Sequence, residues 1–420
     1  MDPTEISRLI YDELVAGTSV PPPRVRTWTG ATWGPLDAAA TLVLQHAGAL
    51  RAALLPPSDL TAGEAYIYDD VDIEGDIFSA LEFALSLGET PHSAAARLRL
   101  YRLLRQLPNP SPRAETEGPR LTGWRHTLKR DREAVTFHYD TGNDFFAQFL
   151  DPRMVYSCGV FLSPKDTLEA AQYRKLDLIC RKLELEPGKR LLDVGCGWGA
   201  LVVHAATRYG ATAVGITLSG EQADYATRLV KEAGVDDRVT ILRRDYRLVE
   251  GSFDAIASVG MFEHVGAAQL GTYFGHLKSM LTPDGVVLNH GIVTRTPGSR
   301  RRGLRKRTFV NTYVFPDGEL EPVDEVIGRA ERSGFELRDA ESLRTSYALT
   351  LRHWVANLES NHDQAVAAAD EKVYRIWRTY MAASALLFES ARVSVYQLLL
   401  APPSRPWVFG RRRLLASDDE

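Results

Sequence analysis

The chain has 420 residues, of which 45% are hydrophobic and 25% carry a charge. This length exceeds the usual size of a single hydrophobic core, so we expect more than one domain. The formal net charge of −4 excludes a globally basic nucleic-acid binder, and we expect no nucleic-acid partner.

The start of the chain and its cysteines indicate the cellular compartment. The first residues, Met1-Asp2-Pro3-Thr4-Glu5, lack the basic region and apolar run of a signal peptide, and no apolar stretch is long enough to cross a bilayer. We therefore expect a soluble, cytoplasmic protein. Cys158, Cys180 and Cys196 are odd in number and widely spaced, so the sequence predicts no disulfide framework and no metal site.

Residues 1–106 are predicted to form a small α+β domain. The spacing of apolar residues predicts helices at 38–55 and 77–87, and short strands at 65–68 and 71–73. No residue pattern with a recognisable chemistry occurs in this part of the chain.

Prolines and polar residues interrupt the apolar pattern after residue 106. We interpret 107–122 as a linker and 123–420 as the second domain. There, apolar strands alternate with helical stretches, which is typical of a parallel sheet covered on both faces. A mainly helical region precedes a final strand at 392–400. The other predicted strands lie near residues 190, 213, 239, 254, 286 and 336.

The segment Leu191-Leu192-Asp193-Val194-Gly195-Cys196-Gly197-Trp198-Gly199 leads from an apolar strand into a glycine-rich turn before a helix. Gly195, Gly197 and Gly199 remove the side chains that would keep a ligand away from the backbone. The helix start directs unpaired amides and a positive dipole end at that ligand. Asp193 could organise the site near the ammonium group of a bound amino acid. This pattern favours S-adenosylmethionine as the ligand.

A dinucleotide is the competing ligand, because the same turn satisfies the loose pattern G-x-G-x-x-G/A. That pattern expects an acidic residue about 20 positions further on, to bind a ribose hydroxyl. The second strand, Ala213–Thr217, leads into Thr217-Leu218-Ser219-Gly220-Glu221-Gln222 and has no acid at its tip. The sequence therefore favours S-adenosylmethionine, and an NAD-dependent oxidoreductase stays the alternative.

Polar residues also follow the next three predicted strands. Asp245 follows the third strand, where it could accept a hydrogen bond from an adenine amino group. Glu263 and His264 follow the fourth strand, and His290 ends the fifth. In such sheets function collects at the carboxyl ends of the strands, which favours catalysis here. Taken alone, the same residues are also typical of a turn, a cap and a buried core position.

Five ordered motifs together resemble the cyclopropane-fatty-acid synthase family, which includes mycolic-acid methyltransferases. The resemblance implies a class I S-adenosylmethionine-dependent methyltransferase, with a Rossmann-like seven-stranded sheet. The N-terminal domain resembles that of the phospholipid-acting members, which implies a lipid-related accessory role and a cis-unsaturated phospholipid acyl chain as substrate. The motifs are His138–Phe146, Met154–Phe161, Leu191–Gly199, Val259–Gly266 and Tyr313–Gly318.

The resemblance also implies two sets of site residues. The cofactor S-adenosylmethionine would be bound by Tyr156, Ser157, Asp193, Gly195, Gly197, Gly199, Thr217, Ser219, Gln222, Asp245 and Tyr246. A bicarbonate ion would be bound by Cys158, Glu263, His290, Ile292 and Tyr347.

The implied chemistry starts from an alkene, which is a poor nucleophile. The sulfonium methyl must be aligned with it in a dry apolar site, because water would trap the resulting carbocation. Bicarbonate would then remove a proton, fixed by His290 and Tyr347, while Glu263 orients it or accepts its proton. The aromatic residues near the motifs could stabilise the cation or simply pack. They are Tyr139, Phe145, Phe146 and Tyr313.

One position departs from the family pattern. Some members have a late cysteine where this chain reads Ala382-Ala383-Ser384-Ala385. Ser384 cannot act as a thiolate, so covalent cysteine catalysis is excluded there. Cys158 is then the relevant thiol, and we expect it to serve as a hydrogen-bonding ligand.

Clustered basic residues after His290 predict a membrane contact. Such residues attract anionic lipid surfaces, although a solvated loop would look the same. Arg411-Arg412-Arg413 adds to this charge, and the acidic tail Asp418-Asp419-Glu420 offsets it. We expect a peripheral position on the inner face of the membrane. The cluster comprises Arg300, Arg301, Arg302, Arg305, Lys306 and Arg307.

Several points stay open from the sequence. Loss of a proton from the added methyl would give a cyclopropane, whereas a hydride shift first would give a methylene branch, such as a 10-methylene chain. Acyl chain length, head group and the presence of a homodimer are equally open. A non-catalytic lipid-binding protein that kept the fold is a further alternative to the enzyme.

Overall fold

The structure is a computed structural model that describes residues 1–89, 93–110, 127–139, 141–295 and 307–406. The described residues fall into two compact units. The first lies within Met1–Pro119, Gly303–Pro316 and Ala365–Leu386, and the second within Arg120–Arg302, Asp317–Gln364 and Leu387–Glu420. The predicted division at 107–122 stays a prediction, since most of that linker lies outside the described residues. Two later segments of the chain, however, belong to the first unit.

The N-terminal part of the first unit is a four-stranded sheet with helices. Its strand order is β2-β1-β3-β4, with β1 parallel to β3 and the other pairs antiparallel. The strands are β1 (Arg24–Thr27), β2 (Thr32–Trp33), β3 (Ala40–Leu44) and β4 (Val71–Gly75). The helices are α1 (Pro3–Val15), α2 (Ala49–Leu54), α3 (Asp59–Ile67), α4 (Ile77–Glu89) and α5 (Ala94–Gln106).

Two predictions for this part were wrong. The predicted strand at 65–68 is the end of helix α3, which begins where the Ser58 hydroxyl accepts a hydrogen bond from the Thr61 amide. The predicted helix at 38–55 contains strand β3, because β1 and β4 pair with it on both sides. The predicted strand at 71–73 and the predicted helix at 77–87 are confirmed as β4 and α4.

From residue 127 onward the chain continues with eleven described helices and seven described strands. The helices are α6 (Leu128–Tyr139), α7 (Asn143–Phe146), α8 (Leu168–Lys182), α9 (Ala200–Tyr209), α10 (Gly220–Glu232), α11 (Leu270–Ser279), α12 (Phe309–Tyr313), α13 (Val323–Arg332), α14 (Arg344–Ser360), α15 (His362–Ala368) and α16 (Glu371–Glu389). The strands are β5 (Arg190–Val194), β6 (Thr212–Thr217), β7 (Val239–Arg243), β8 (Phe253–Val259), β9 (Leu281–Thr294), β10 (Glu336–Ser342) and β11 (Val393–Ala401).

The second unit is built on a seven-stranded sheet, which confirms the predicted fold and its strands. The strand order is β10-β11-β9-β8-β5-β6-β7, with β11 antiparallel to both of its neighbours and the other pairs parallel. The chain winds outward from β5 to β7 and then returns to β8 on the other side of β5. This reversal opens a crevice at the carboxyl end of β5, where ligands bind in such sheets.

The hydrophobic core lies on both faces of this sheet. Along β5, Leu191 packs with α8 and α9 on one face, whereas Leu192 and Val194 pack with α11 and α13 on the other. Because side chains alternate along a strand, Asp193 lies on the Leu191 face. A carboxyl group is therefore placed inside an apolar layer, immediately before the glycine-rich turn.

Candidate cofactor and catalytic site

The glycine-rich turn directly follows β5, as predicted. Gly197 has a φ of 52°, and a β-carbon built there would meet no atom within 4 Å. Gly199 has a φ of 91°, and its β-carbon would lie 2.9 Å from the Cβ of Ala226 on α10. Gly199 thus permits close packing of the turn, whereas Gly197 borders open space. This geometry leaves room for a ligand above the start of α9.

Asp193 is a buried carboxyl group beside this turn. It is only 2% exposed, and its Oδ1 has no hydrogen-bond partner among the residues that the structure describes. Burial raises its pKa to about 7, and the positive charge of Lys175 opposes that rise. A buried carboxyl oxygen without a partner is costly, so it indicates a ligand with a positive charge or a hydrogen-bond donor.

Helix α8 holds the segment that contains Tyr156 and Ser157. The Lys175 ammonium donates a hydrogen bond to the Ser157 hydroxyl at 3.0 Å, and the Gln172 amide donates one to the Ser157 carbonyl at 2.8 Å. Burial lowers the pKa of Lys175 to about 8, against the attraction of Asp151 and Asp193.

Sequence reasoning missed both Lys175 and Gln172. They lie on the face of α8 that also buries Leu168, Leu176 and Ile179. A polar residue within the apolar stripe of a helix was the available signal.

Tyr156 belongs to a cluster of aromatic side chains. Its ring stacks on Trp354 with centroids 5.2 Å apart, and the ring of Phe146 meets it edge-on at 5.4 Å. Phe145 and Phe146 are both fully buried and also contact each other. Packing therefore accounts for Phe145 and Phe146, and Tyr156 is the partly exposed member of the group.

The turn after β6 is closed by its own side chains. The Thr217 hydroxyl donates a hydrogen bond to the side-chain Oε1 of Gln222 at 2.7 Å. The Ser219 hydroxyl caps α10 by accepting a hydrogen bond from the backbone amide of Gln222 at 3.3 Å. The Nε2 of Gln222 is buried and has no partner among the described residues. Of these three predicted residues, Gln222 thus carries a donor that a ligand could satisfy.

Asp245 lies at the end of β7 in an ion pair that was not predicted. Both of its carboxyl oxygens accept hydrogen bonds from Arg247, at 2.8 and 2.7 Å, and Arg247 also contacts Asp131 at 2.9 Å. Tyr246 packs edge-on against Tyr273 at 5.5 Å, and burial raises the pKa of Tyr246 to about 12. The role of Asp245 toward adenine stays a prediction.

Glu263 and Ile292 are in direct contact. The Glu263 Oε1 accepts a hydrogen bond of 2.7 Å from the Ile292 backbone amide, while its Oε2 has no partner within the described residues. Burial raises the pKa of Glu263 to about 7, and the Ile292 hydrogen bond opposes that rise. Near neutral pH this carboxyl group therefore exists in both forms and can accept or release a proton.

His290 lies two residues before Ile292, on the same face of β9. Its Nδ1 lies 3.3 Å from the side-chain amide of Gln397, and its Nε2 has no partner in the described part of the chain. Burial, with the nearby charges of Lys175 and Lys182, lowers the pKa of His290 to about 3, so the ring is neutral. The Gln397 side-chain amide nitrogen can only donate, so Nδ1 of His290 accepts its hydrogen bond. The proton of the neutral ring therefore lies on Nε2, which is left as a donor.

The Cys158 thiol and the backbone amide of Tyr347 both lie near the carbonyl oxygen of Leu343. The Cys158 thiol lies 3.1 Å from the Gly159 carbonyl oxygen and 3.6 Å from the Leu343 carbonyl oxygen, and the Tyr347 backbone amide donates to the Leu343 oxygen at 2.9 Å. The Leu343 amide in turn bonds to Val395, which lies opposite Ile292 in the β9–β11 pair. These contacts therefore connect Cys158 and Tyr347 to Ile292 only through the backbone of Leu343 and Val395, whereas Glu263 contacts Ile292 directly.

The Cys158 thiol is fully buried, and burial raises its pKa. A neutral thiol is a weak nucleophile and a hydrogen-bond donor. The role of Cys158 as a hydrogen-bonding ligand stays a prediction.

Other predicted residues lie elsewhere or outside the description. Tyr313 belongs to the first unit, where its hydroxyl donates to Glu64 at 3.1 Å, and Ser384 lies on α16 in the same unit. The described residues contain no cluster of three metal-binding side chains and no helix that is long and apolar enough to span a membrane. The side chain of Tyr139 and the basic residues Arg300, Arg301, Arg302, Arg305, Lys306 and Arg411–Arg413 lie outside the described residues.

Comparison with known proteins gives consistent matches. A family model described as mycolic acid cyclopropane synthetase matches residues 126–398. A probable fatty acid methyltransferase of Pseudomonas putida is 37% identical over 91% of this chain and 92% of its own length. The cyclopropane-fatty-acyl-phospholipid synthase of Escherichia coli is 38% identical over 63% of this chain and 66% of its own.

Among solved structures, a mycolic acid cyclopropane synthase complexed with SAH and CTAB is 36% identical. The match has a TM-score of 0.61 and covers 64% of this chain and 97% of that one.

Proposed function

This chain belongs to the mycolic acid cyclopropane synthetase family, and we propose that it transfers a one-carbon unit from S-adenosylmethionine to the cis double bond of an unsaturated phospholipid acyl chain. The observation that carries the proposal has two parts. There is open space at Gly197, and the buried Oδ1 of Asp193 has no hydrogen-bond partner among the described residues. A compact cofactor with a cationic amino-acid group fits both. The names of the relatives, a fatty acid methyltransferase and an acyl-phospholipid synthase, support the lipid substrate.

The cofactor would be held around the turn after β5. Asp193, Ser157 and Gln222 supply polar atoms, and Tyr156 supplies an aromatic face. When bound, S-adenosylmethionine supplies an electrophilic methyl group that an alkene takes up to give a carbocation. The buried aromatic residues beside Tyr156 exclude water, which would otherwise trap that cation.

The proton that leaves the acyl chain would be removed near the carboxyl end of β9. We propose that Cys158, Glu263, His290, Ile292 and Tyr347 hold a bicarbonate ion, which supplies a base when bound. The Nε2 proton of His290 is a donor suited to an anion. Glu263, with its pKa of about 7, could then take up the proton that the bound base removes from the acyl chain.

The product depends on whether a hydride shift precedes the loss of the proton. Loss from the added methyl closes a cyclopropane ring, and a hydride shift before that loss gives a methylene branch. The proposal covers both products, since both need the same alkylation and the same base.

The decisive experiment is incubation with S-adenosylmethionine and oleoyl-phospholipid vesicles. We expect a gain of one CH2 in the acyl chain and no reaction with saturated phospholipid, which has no π bond. Proton NMR distinguishes the isomers, because cyclopropane protons resonate far upfield and exomethylene protons in the olefinic region. Equal labelling of saturated and unsaturated lipid would refute the alkene mechanism.

We also propose that the protein works at the inner face of the cytoplasmic membrane. The basic sequence at Arg300–Arg307 would attract anionic lipid, by an interaction screened over about 8 Å at physiological ionic strength. Serine replacements at Arg300, Arg301, Arg302 and Arg305 should weaken vesicle binding most at low salt. Unchanged binding would remove this segment from the proposal.

A further inference from the structure

Helix α5 in the first unit has two chemically distinct faces. Its sequence, AAARLRLYRLLRQ, contains four arginines and no acidic residue. The inner face contains Leu100, Leu103 and Leu104, and it packs with Ile6 and Ile10 of α1. Ser93 caps the helix by accepting a hydrogen bond from the Ala96 amide at 3.1 Å. Packing and capping thus fix the direction in which the opposite face points.

The opposite face exposes both apolar and basic side chains. We define the α5 outer face as Leu98, Tyr101, Arg102 and Arg105. Leu98 and Tyr101 are three residues apart, so they lie side by side, and they are 47% and 46% exposed. The two arginines of this face, Arg102 and Arg105, are also exposed and lie four residues after Leu98 and Tyr101.

The charge of this face is not cancelled within the helix. Arg99, at its edge, forms an ion pair with Glu13 of α1, with 2.9 Å between Nε and Oε1. Arg105 instead donates to the Tyr101 hydroxyl at 3.4 Å, and its guanidinium carbon lies 5.9 Å from the Tyr101 ring centroid. Tyr101 and Arg105 thus form a single amphipathic group, with an apolar body and a cationic end.

We propose that the α5 outer face is a docking surface for an anionic phospholipid bilayer. Leu98 and the Tyr101 ring would enter the boundary between head groups and acyl chains, while the arginines contact lipid phosphates. Basic residues around a leucine and a tyrosine are the composition of helices that lie in a membrane interface. A nucleic acid would use the arginines but would leave Leu98 exposed to water.

This inference depends on the proposed function only in the expectation that the enzyme reaches a membrane lipid. Its test needs no cofactor and no turnover. The full chain is mixed with sedimenting vesicles of equal parts phosphatidylglycerol and phosphatidylcholine, or of phosphatidylcholine alone. We expect binding to the anionic vesicles to exceed binding to the neutral ones.

Two double variants separate charge from insertion. Each basic side chain near an anionic surface contributes about fivefold in affinity. Arg102→Ser with Arg105→Ser should therefore weaken binding about 30-fold at low salt, and by much less at high salt. Leu98→Ser with Tyr101→Ser should weaken binding at both salt concentrations, because burial of apolar surface is not screened.

Matched controls remove the same chemistry from other exposed positions. Arg228→Ser with Arg332→Ser removes two exposed arginines of α10 and α13, and Leu36→Ser removes a leucine that is 85% exposed. Both controls should bind vesicles within twofold of the unchanged chain. An equal loss in the controls would overturn the proposal, because general charge or hydrophobicity would then explain binding.

The test also separates this inference from the proposed function. The two α5 variants should keep their turnover of detergent-dispersed unsaturated phospholipid, since α5 is placed in docking only. Unchanged vesicle affinity in both variants would overturn the docking surface. So would a change of oligomeric state in the variants, which would make the face a protein interface. Vesicle binding that depends on α5, without any methyl transfer, would instead remove the proposed function and keep the docking surface.

Discussion

Lys175 is a buried cation whose contacts tie it to the proposed cofactor site. We predict that Lys175→Met weakens S-adenosylmethionine binding about tenfold, because a hydrogen bond from a charged donor to Ser157 is lost. The charge that opposes the raised pKa of Asp193 is lost as well. Since a cationic ligand needs the carboxylate, affinity falls as the pH drops through that pKa. In the unchanged chain the affinity for S-adenosylmethionine should therefore fall near pH 7. In Lys175→Met the pKa of Asp193 is higher, so the affinity should begin to fall at a higher pH.

Calorimetry across the pH range checks this prediction, with Lys182→Met as the control. Lys182 is an equally buried lysine of the same helix, but it pairs with Asp339 at 3.2 Å and with Glu341. Its loss should lower stability and leave the dissociation constant unchanged. The same affinity loss in both variants would indicate a general disturbance of α8.

Gly197 tests the ligand space directly. We expect Gly197→Val to abolish S-adenosylmethionine binding, since its side chain would occupy the open space above the turn. The left-handed φ adds strain of about 1–2 kcal/mol, so the folded state must be verified by circular dichroism. Tight NADH binding by the unchanged chain, without a response to S-adenosylmethionine, would favour the oxidoreductase alternative.

Glu263 and His290 should act in turnover and not in cofactor affinity. Glu263→Gln and His290→Ala should each reduce kcat by about 100-fold or more, the scale of general base catalysis. The carboxylate form of Glu263 dominates above its pKa of about 7, so kcat should fall as the pH drops below 7. That limb of the pH profile should be absent in Glu263→Gln. Ser384→Ala should be nearly silent, and the opposite pattern would disprove the catalytic set.

At the scale of elements, the sequence predicted the second unit better than the first. Strands such as β5 and β8 are buried on both faces, so they appear as apolar runs that few other structures would produce. Short segments of the first unit gave weaker signals, and the tertiary pairing of β3 and the capping of α3 decided their conformation.

The site shows the same contrast between local and distant determinants. The glycine-rich turn could be predicted because its chemistry is local to the sequence. The pairing of Arg247 with Asp131 could not, since it joins residues 116 positions apart. Lys175 was missed because its role appears only when α8 packs beneath Ser157.

The cap of α3 provides a prediction for a single element. Ser58→Ala should lower the free energy of unfolding by about 1 kcal/mol, because the Thr61 amide loses its acceptor. Ser58→Asn is the control, because its side-chain oxygen can still accept from the Thr61 amide, and it should cost only a few tenths of a kcal/mol. Urea unfolding measures both changes. Equal effects of the two substitutions would show that the hydroxyl does not act as a cap.

At the scale of the whole molecule, the chain returns to its first unit after entering the second. The Tyr313 hydroxyl bonds to Glu64, the Arg375 guanidinium donates to the Tyr66 carbonyl at 2.9 Å, and Arg378 donates to the Tyr66 hydroxyl at 2.8 Å. These contacts lie inside one compact unit but join residues that are 249 to 312 positions apart. The unit is therefore assembled from distant parts of the sequence.

A chain assembled in this way should survive a cut between Pro110 and Thr127. An engineered protease site there should yield two fragments that elute together in size-exclusion chromatography. Expressed alone, the fragment from residue 127 onward should aggregate, because Phe309, Tyr313, Arg375 and Arg378 would lose their partners. Clean separation of the two fragments after cleavage would contradict this prediction.

The return of the chain also bears on how the protein is made. During synthesis the first 110 residues leave the ribosome without α12 and α16, so their unit stays incomplete until most of the chain has been translated. The N-terminal part must then wait with an unsatisfied surface while strands β5 to β10 are translated, and β11 follows only after α16. Completion of the first unit would thus report that translation has passed β10, and a chain terminated before α16 would be recognisable by its unfinished first unit.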